Sequence, residues 1–113
     1  MEVTKKEVVK STYYYKDIQA IFEYGESTFG ESAALGFFEE ILSDVEKLTL
    51  QYLLHPECRH LETKTKKYRN IILGSYLIIY RITETRIEVL RAFHGSRSPK
   101  KIIKTKKIII DYK

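Results

Sequence analysis

The sequence predicts an α+β fold: a first strand, an antiparallel helical hairpin, a three-stranded antiparallel meander and a basic C-terminal tail. Three observations lead there. Apolar residues recur at helical spacing through the first half of the chain. Pro56 then opens a connection with no visible period. After it the pattern becomes runs of Ile, Leu and Tyr separated by tight turns, as consecutive strands require.

Taken in order, residues 6–11 read as a short β-branched strand, and Ser11 or Thr12 can cap the helix that follows. Tyr14, Ile18, Ile21, Phe22 and Phe29 fall at steps of three, four and seven, with Gly25 on the same stripe where close packing is wanted. Gly30 ends this helix and Ser32 can cap the next. The second helix has the clearest pattern: Ala34, Phe37, Phe38, Ile41, Leu42, Val45 and Leu48 form one face, and Glu39, Glu40, Asp44 and Glu46 lie opposite. So short a link makes the two helices an antiparallel pair whose apolar stripes cover a sheet. Residues 67–73, 76–82 and 87–93 are the meander strands. Gly74-Ser75 has the glycine first, which suits a type II′ hairpin turn. One face of the sheet is left open in this reading, available as a site. The division is a single domain over residues 1–99 and a tail over 100–113. The tail repeats Lys-Lys-Ile-Ile at 100–103 and 106–109, and reads as an extra strand or as an arm ordered by a partner.

The chain of 113 residues can bury one core but not two. No apolar run approaches the ~20 residues of a membrane span. The first six residues lack the apolar stretch of a secretory signal. A single cysteine, Cys58, excludes an internal disulfide and suits a reducing cytoplasm. Charge is segregated: residues 17–46 hold eight acids and no Lys or Arg, whereas residues 91–113 hold eight bases and one acid. With a second basic cluster at Lys64, Lys66, Lys67 and Arg69, this asymmetry steers the protein toward an anionic partner, or else forms a solvated face.

Catalytic signatures are sparse. Phosphate-cradling glycine loops, HExxH, CxxC and GxSxG are all missing from the sequence. His55, Cys58, His60 and His94 are legitimate zinc ligand types, but their spacing matches no familiar site, so no metal or cofactor is expected. The stronger constellation is Arg69, Arg81, Arg91, His94 and Arg97 with Tyr68, Tyr76 and Tyr80, on or just beyond the meander. Arginine forks grip phosphate or carboxylate, tyrosine rings stack bases, and a histidine among cations is disposed to stay neutral and act as a base. The plainer reading puts Tyr76 and Tyr80 in the core, pairs Arg81 with an acid of the helical hairpin, and leaves His94 capping the last strand.

Tyr76-Leu77-Ile78-Ile79-Tyr80-Arg81-Ile82 followed by Ile87 to Phe93 and His94-Gly95-Ser96-Arg97 resembles the C-terminal half of the RelE/ParE toxin superfamily. Asp17-Ile18 with Ile21 and Tyr24 resembles the first helix of that family, and Leu54-His55-Pro56 its Leu-x-Pro after the second helix. The likeness covers about residues 7–99 and leans toward the ParE branch through the His94-Gly95-x-Arg97 ending. It implies the toxin of a type II toxin–antitoxin, or plasmid stabilisation, module, bound by a small antitoxin and present as a homodimer or a toxin–antitoxin hetero-oligomer. ParE-like members arrest growth by inhibiting DNA gyrase; RelE-like members cleave mRNA on the ribosome. Target or phosphate contacts are expected from Lys64, Lys66, Lys67, Arg69, Arg81, Arg91, Arg97, Lys100 and Lys101. In the ribonuclease alternative His94, Arg69 and Arg97 are catalytic, although Ile71 and Leu77 occupy positions where that branch carries cations. The second alternative is a non-toxic member that only binds its antitoxin.

Overall fold

The computed structural model describes residues 3–96 and 98–111. The chain runs β1 (Glu7–Lys10), α1 (Thr12–Phe29), α2 (Glu31–Gln51), β2 (Tyr68–Leu73), β3 (Tyr76–Ile82), β4 (Arg86–His94), α3 (Pro99–Lys104) and a 3₁₀ turn (Thr105–Lys107). The four strands form one sheet in the order β1-β4-β3-β2. Strands β2, β3 and β4 are the expected antiparallel meander, and β1 adds to β4 in parallel, Val8 opposite Ile87. A parallel neighbour needs a crossover, and the helical hairpin supplies it.

Ser11 starts α1 as anticipated. Its Oγ accepts from the Tyr14 amide at 3.0 Å and donates to the Leu90 carbonyl at 2.5 Å, so one hydroxyl caps the helix and ties it to β4. Gly30, at φ +95°, is both the C-cap of α1 and the N-cap of α2. This corrects the capping role given to Ser32, which lies inside α2. The left-handed backbone at Gly30 lets the helices meet without a loop. In the β2–β3 turn Gly74 takes φ +58°, the conformation its position demanded.

The hairpin packs Tyr14, Ile18, Ile41, Val45 and Leu48 on Ile71, Ile78, Tyr80, Ile87 and Val89 of the sheet. Each such side chain, fully buried, contributes about 1.5–3 kcal/mol. Gly25 does sit against α2: a Cβ there would touch the Cβ of Ala34 at 3.5 Å. Phe29 and Leu42, expected on the buried stripes, are exposed, because the hairpin extends past the sheet and its outer side faces solvent.

The second face of the sheet is not open. Cys58, Leu61, Tyr68, Ile79, Leu90 and Phe93 form a second core there, closed by Ile102 with Ile108 and Ile110 beside it. The tail is therefore neither an extra strand nor an arm that waits for a partner to order it. Pro99 at the helix start pre-sets the backbone, and Ile102 and Thr105, three residues apart, bury on the sheet. Between Ile79 and Tyr80 the register with β4 shifts, and Leu90 is the extra residue that turns into this second core. The outer edge of β2 is also partly covered, by Cys58 N–H to Tyr68 O at 2.9 Å and Asn70 N–H to Pro56 O at 3.1 Å.

Candidate functional site

The basic residues singled out from the sequence fall into four separate places. Arg81 lies under the tail. Its Nε donates to Glu88 at 2.7 Å and its Nη2 to the Ile108 carbonyl at 2.8 Å. Glu88, itself buried, also accepts from Arg86 at 2.6 Å, and Arg86 reaches the Ile110 carbonyl. Burial opposes the charge on Arg81, but the hydrogen bonds to Tyr68 and Glu88 outweigh it and raise its pKa. This side chain holds the tail in place. Its acid partner is Glu88 on the adjacent strand, not an acid of the helical hairpin.

The arginine that pairs with the hairpin is Arg91. Its Nε and Nη2 grip the two oxygens of Asp17 at 2.7 and 2.9 Å, and the same carboxylate accepts the Ala92 amide at 3.0 Å. The guanidinium lies 4.5 Å from the Phe93 ring centre and 5.4 Å from that of Tyr13. Around it a cleft of about 390 Å³ is lined by Tyr13, Lys101, Lys104 and Lys107. Lys100 and Lys101 are both exposed on α3, and only Lys101 faces the cleft.

Arg69 is at the opposite edge of the sheet. Strand alternation puts it on the helix side with Ile71 and Leu73. Its Nη1 donates to the His55 carbonyl at 2.9 Å and the Leu53 carbonyl at 3.2 Å, and its Nε to that of Lys66 at 3.1 Å. It ties down the chain leaving α2. His55 beside it is held neutral to lower pH than usual: burial is the main cause, Asp44 works the other way, and Arg69 adds to the lowering. Lys64, Lys66 and Lys67 are exposed on the preceding turn, with the Lys67 ammonium 5.5 Å from the Tyr68 ring centre.

His94 ends β4, exposed, with Nδ1 2.7 Å from the Ser96 hydroxyl and its ring edge-on to Tyr76. Tyr80 is fully buried as the core reading had it, whereas Tyr76 is half-buried between His94 and Phe37. Arg97 lies outside the described residues. Arg69 is paired opposite Tyr80 and His94 opposite Tyr76, on the two strands flanking β3. Four residues along the sheet and two strands across it separate them by roughly 16 Å. The structure does not bring this acid–base candidate and this cation together. The histidines and Cys58 do not assemble either: among the described residues no three His, Cys, Asp or Glu side chains are placed to hold a metal. Burial, with Glu62 and Glu57 adding to it, pushes the Cys58 thiol up to about 12, far from a reactive thiolate.

The sequence reading missed Glu88, Arg86, Tyr13, Lys104 and Lys107. The lysines carried a signal, since residues 101, 104 and 107 lie three apart and share one side of a helix. A second feature was visible only as stripes too wide for the sheet. Between the tip of the helical hairpin and the Gly74-Ser75 turn lies an apolar cleft of about 240 Å³, floored by Phe37, Ile41 and Leu73. A neighbouring groove on the outer side of the hairpin runs between Tyr15, Phe22, Leu35, Phe38 and Leu42.

A helical hairpin and a parallel first strand framing an antiparallel meander, with basic patches at its margins, define the RelE/ParE class of toxin folds. Residues 10–99 match the family described as the ParE toxin of the type II toxin–antitoxin system parDE, and the chain belongs to that family. Among solved structures, the chain is similar to one of the chromosomal ParDE TA system from P. aeruginosa: 18% identity, a TM-score of 0.67, and 80% of this chain covering 97% of that one. A chain of the E. coli DinJ-YafQ toxin-antitoxin complex is also similar, at 17% identity and a TM-score of 0.49, with 81% of this chain and 94% of that one covered. No curated protein sequence matches. Among the described residues no helix is long and apolar enough to cross a membrane.

Proposed function

We propose that this ParE-family toxin arrests growth by inhibiting DNA gyrase through protein contacts, and that a cognate antitoxin neutralises it. The observation that carries this reading over a ribosome-dependent ribonuclease is the separation of His94 from Arg69. A phosphodiester is cleaved when base, acid and cation converge on one phosphate. Here the two groups sit at different corners of the sheet, and the arginine is engaged with backbone carbonyls. Arg81, the other strand cation, is held by Glu88 and the tail. The apolar hairpin groove supports an antitoxin partner, because an amphipathic helix lays its apolar stripe into a groove of that kind.

The test is to induce the chain alone in bacteria and follow thymidine and methionine incorporation together. DNA synthesis is expected to fall first, supercoiling by purified gyrase to be blocked by the purified chain, and growth to recover when a cognate antitoxin is co-expressed. Methionine incorporation falling first, with His94→Ala abolishing the effect, would replace this reading with the ribonuclease.

A further inference from the structure

We infer that the cleft between α1 and the tail is a binding site for single-stranded nucleic acid, with lysines holding the phosphates and Tyr13 stacking a base. One wall of the cleft is built by residues between 101 and 109, which lie beyond the family match at residue 99, and the other by Tyr13 and Arg91. Ile102 and Thr105 anchor α3 and the following turn on the sheet, and this sets Lys101, Lys104 and Lys107 in a ladder along one wall. None of the three ammonium groups has an acid partner among the described residues.

The choice of ligand follows from what each group still has to offer. Carboxylates are best recognised by arginine forks, and the arginine of the cleft, Arg91, has its fork closed on Asp17. Lysines remain, and as point charges they suit a backbone whose phosphates arrive in no fixed orientation. Tyr13 has Arg91 beneath its ring and is 50% exposed, which leaves a ring surface for a base. Stacking on such a ring needs an unpaired base, and so a single strand rather than a duplex. An apolar peptide helix has its own groove on the outer side of the hairpin.

The site does not depend on which target the toxin arrests, and its test reads binding, not growth. Fluorescein-labelled 12-mers of deoxythymidine and of uridine are titrated with the full chain and followed by anisotropy. Three phosphate contacts give a log–log salt slope of about −2, or roughly 20-fold weaker binding between 50 and 200 mM salt. The K101Q/K104Q/K107Q variant is expected to bring the slope close to zero. A matched K64Q/K66Q/K67Q variant, with the same loss of charge on the other basic cluster, should keep it. Y13L should weaken binding at least about fivefold with the slope unchanged. DNA bound tighter than RNA, or the reverse, identifies the strand and supports the site either way. Equal losses in the two lysine variants would reduce the effect to net charge and overturn the site. A glutamate 12-mer binding as tightly as the oligonucleotides would also overturn it, as would no binding at low salt.

Discussion

At the scale of single residues, what a charged side chain does here is decided by how many partners it already has. Glu88 is 5% exposed and serves two arginines, Arg81 at 2.7 Å and Arg86 at 2.6 Å. Replacing Glu88 with Gln removes the carboxylate that both guanidinium groups share, and breaking a buried pair in this way costs about 3–5 kcal/mol. The loss should appear as a lower midpoint in urea denaturation with the slope unchanged. By contrast Lys10 and Glu46 pair at 2.8 Å with the Glu46 side chain 68% exposed, so Glu46→Gln should cost under about 1 kcal/mol. If the two substitutions prove equally mild, Glu88 is not the hub the geometry makes it. The sequence shows residue types but not partners, which is why the candidate site was only half legible. It marked Arg69, Arg81, Arg91 and His94 as one constellation because all four lie on the meander. Nothing in their spacing tells that Arg81 faces Glu88 on the adjacent strand, or that Arg69 turns to the helix side to bind carbonyls.

At the scale of elements, the legible parts are those whose pattern has one physical meaning. A stripe at three and four residues over α2, a serine ahead of α1, and a glycine-first turn between β2 and β3 each specify one local structure, and each is found. The tail defeated the reading because its β-branched isoleucines favour strand while Ser98-Pro99 favours a helix start. Tertiary burial settles the conflict: Ile102 finds Leu90 and Phe93 beneath it. The parallel pairing of β1 with β4 was equally invisible, since it depends on where the hairpin returns the chain. The tail is therefore a structural layer, and removing residues 99–113 should uncover Ile79, Leu90 and Phe93 and take away the tail carbonyls that accept from Arg81 and Arg86. The truncated chain is expected to bind a hydrophobic dye such as ANS and to melt at lower temperature. Ile102→Ala, which keeps the length, should cost about 2 kcal/mol. A truncated chain as stable as the whole, with no dye bound, would make the tail an appendage.

At the scale of the whole molecule, two cores lie on opposite faces of one sheet, and each contains groups that resist ionisation. Burial, with smaller contributions from Tyr15 and Glu46, pushes Tyr14 on the helix side up to about 12, and burial raises Tyr80 further, with Arg69 opposing. Cys58 under the tail is pushed up to about 12 as well. All three are neutral when protonated. In the unfolded chain the thiol loses its proton near pH 8.5 and the phenols near 10, while the folded chain keeps them. Between those values and pH 12 the unfolded state binds fewer protons, so stability falls as pH rises, by up to about 1.4 kcal/mol per pH unit for each group. The decline should begin near pH 8.5 with Cys58 alone and steepen above pH 10 as the tyrosines join. Cys58→Ala should delay its onset by more than one pH unit. Because the cores share strands β2, β3 and β4, the part of the tyrosinate absorbance at 295 nm that Tyr14→Phe and Tyr80→Phe remove and the reaction of the thiol with a disulfide reagent should report one transition. A thiol that titrates near its ordinary value while the tyrosines stay protonated would show that the tail layer opens by itself, and that the second core is a separate unit laid on the family fold.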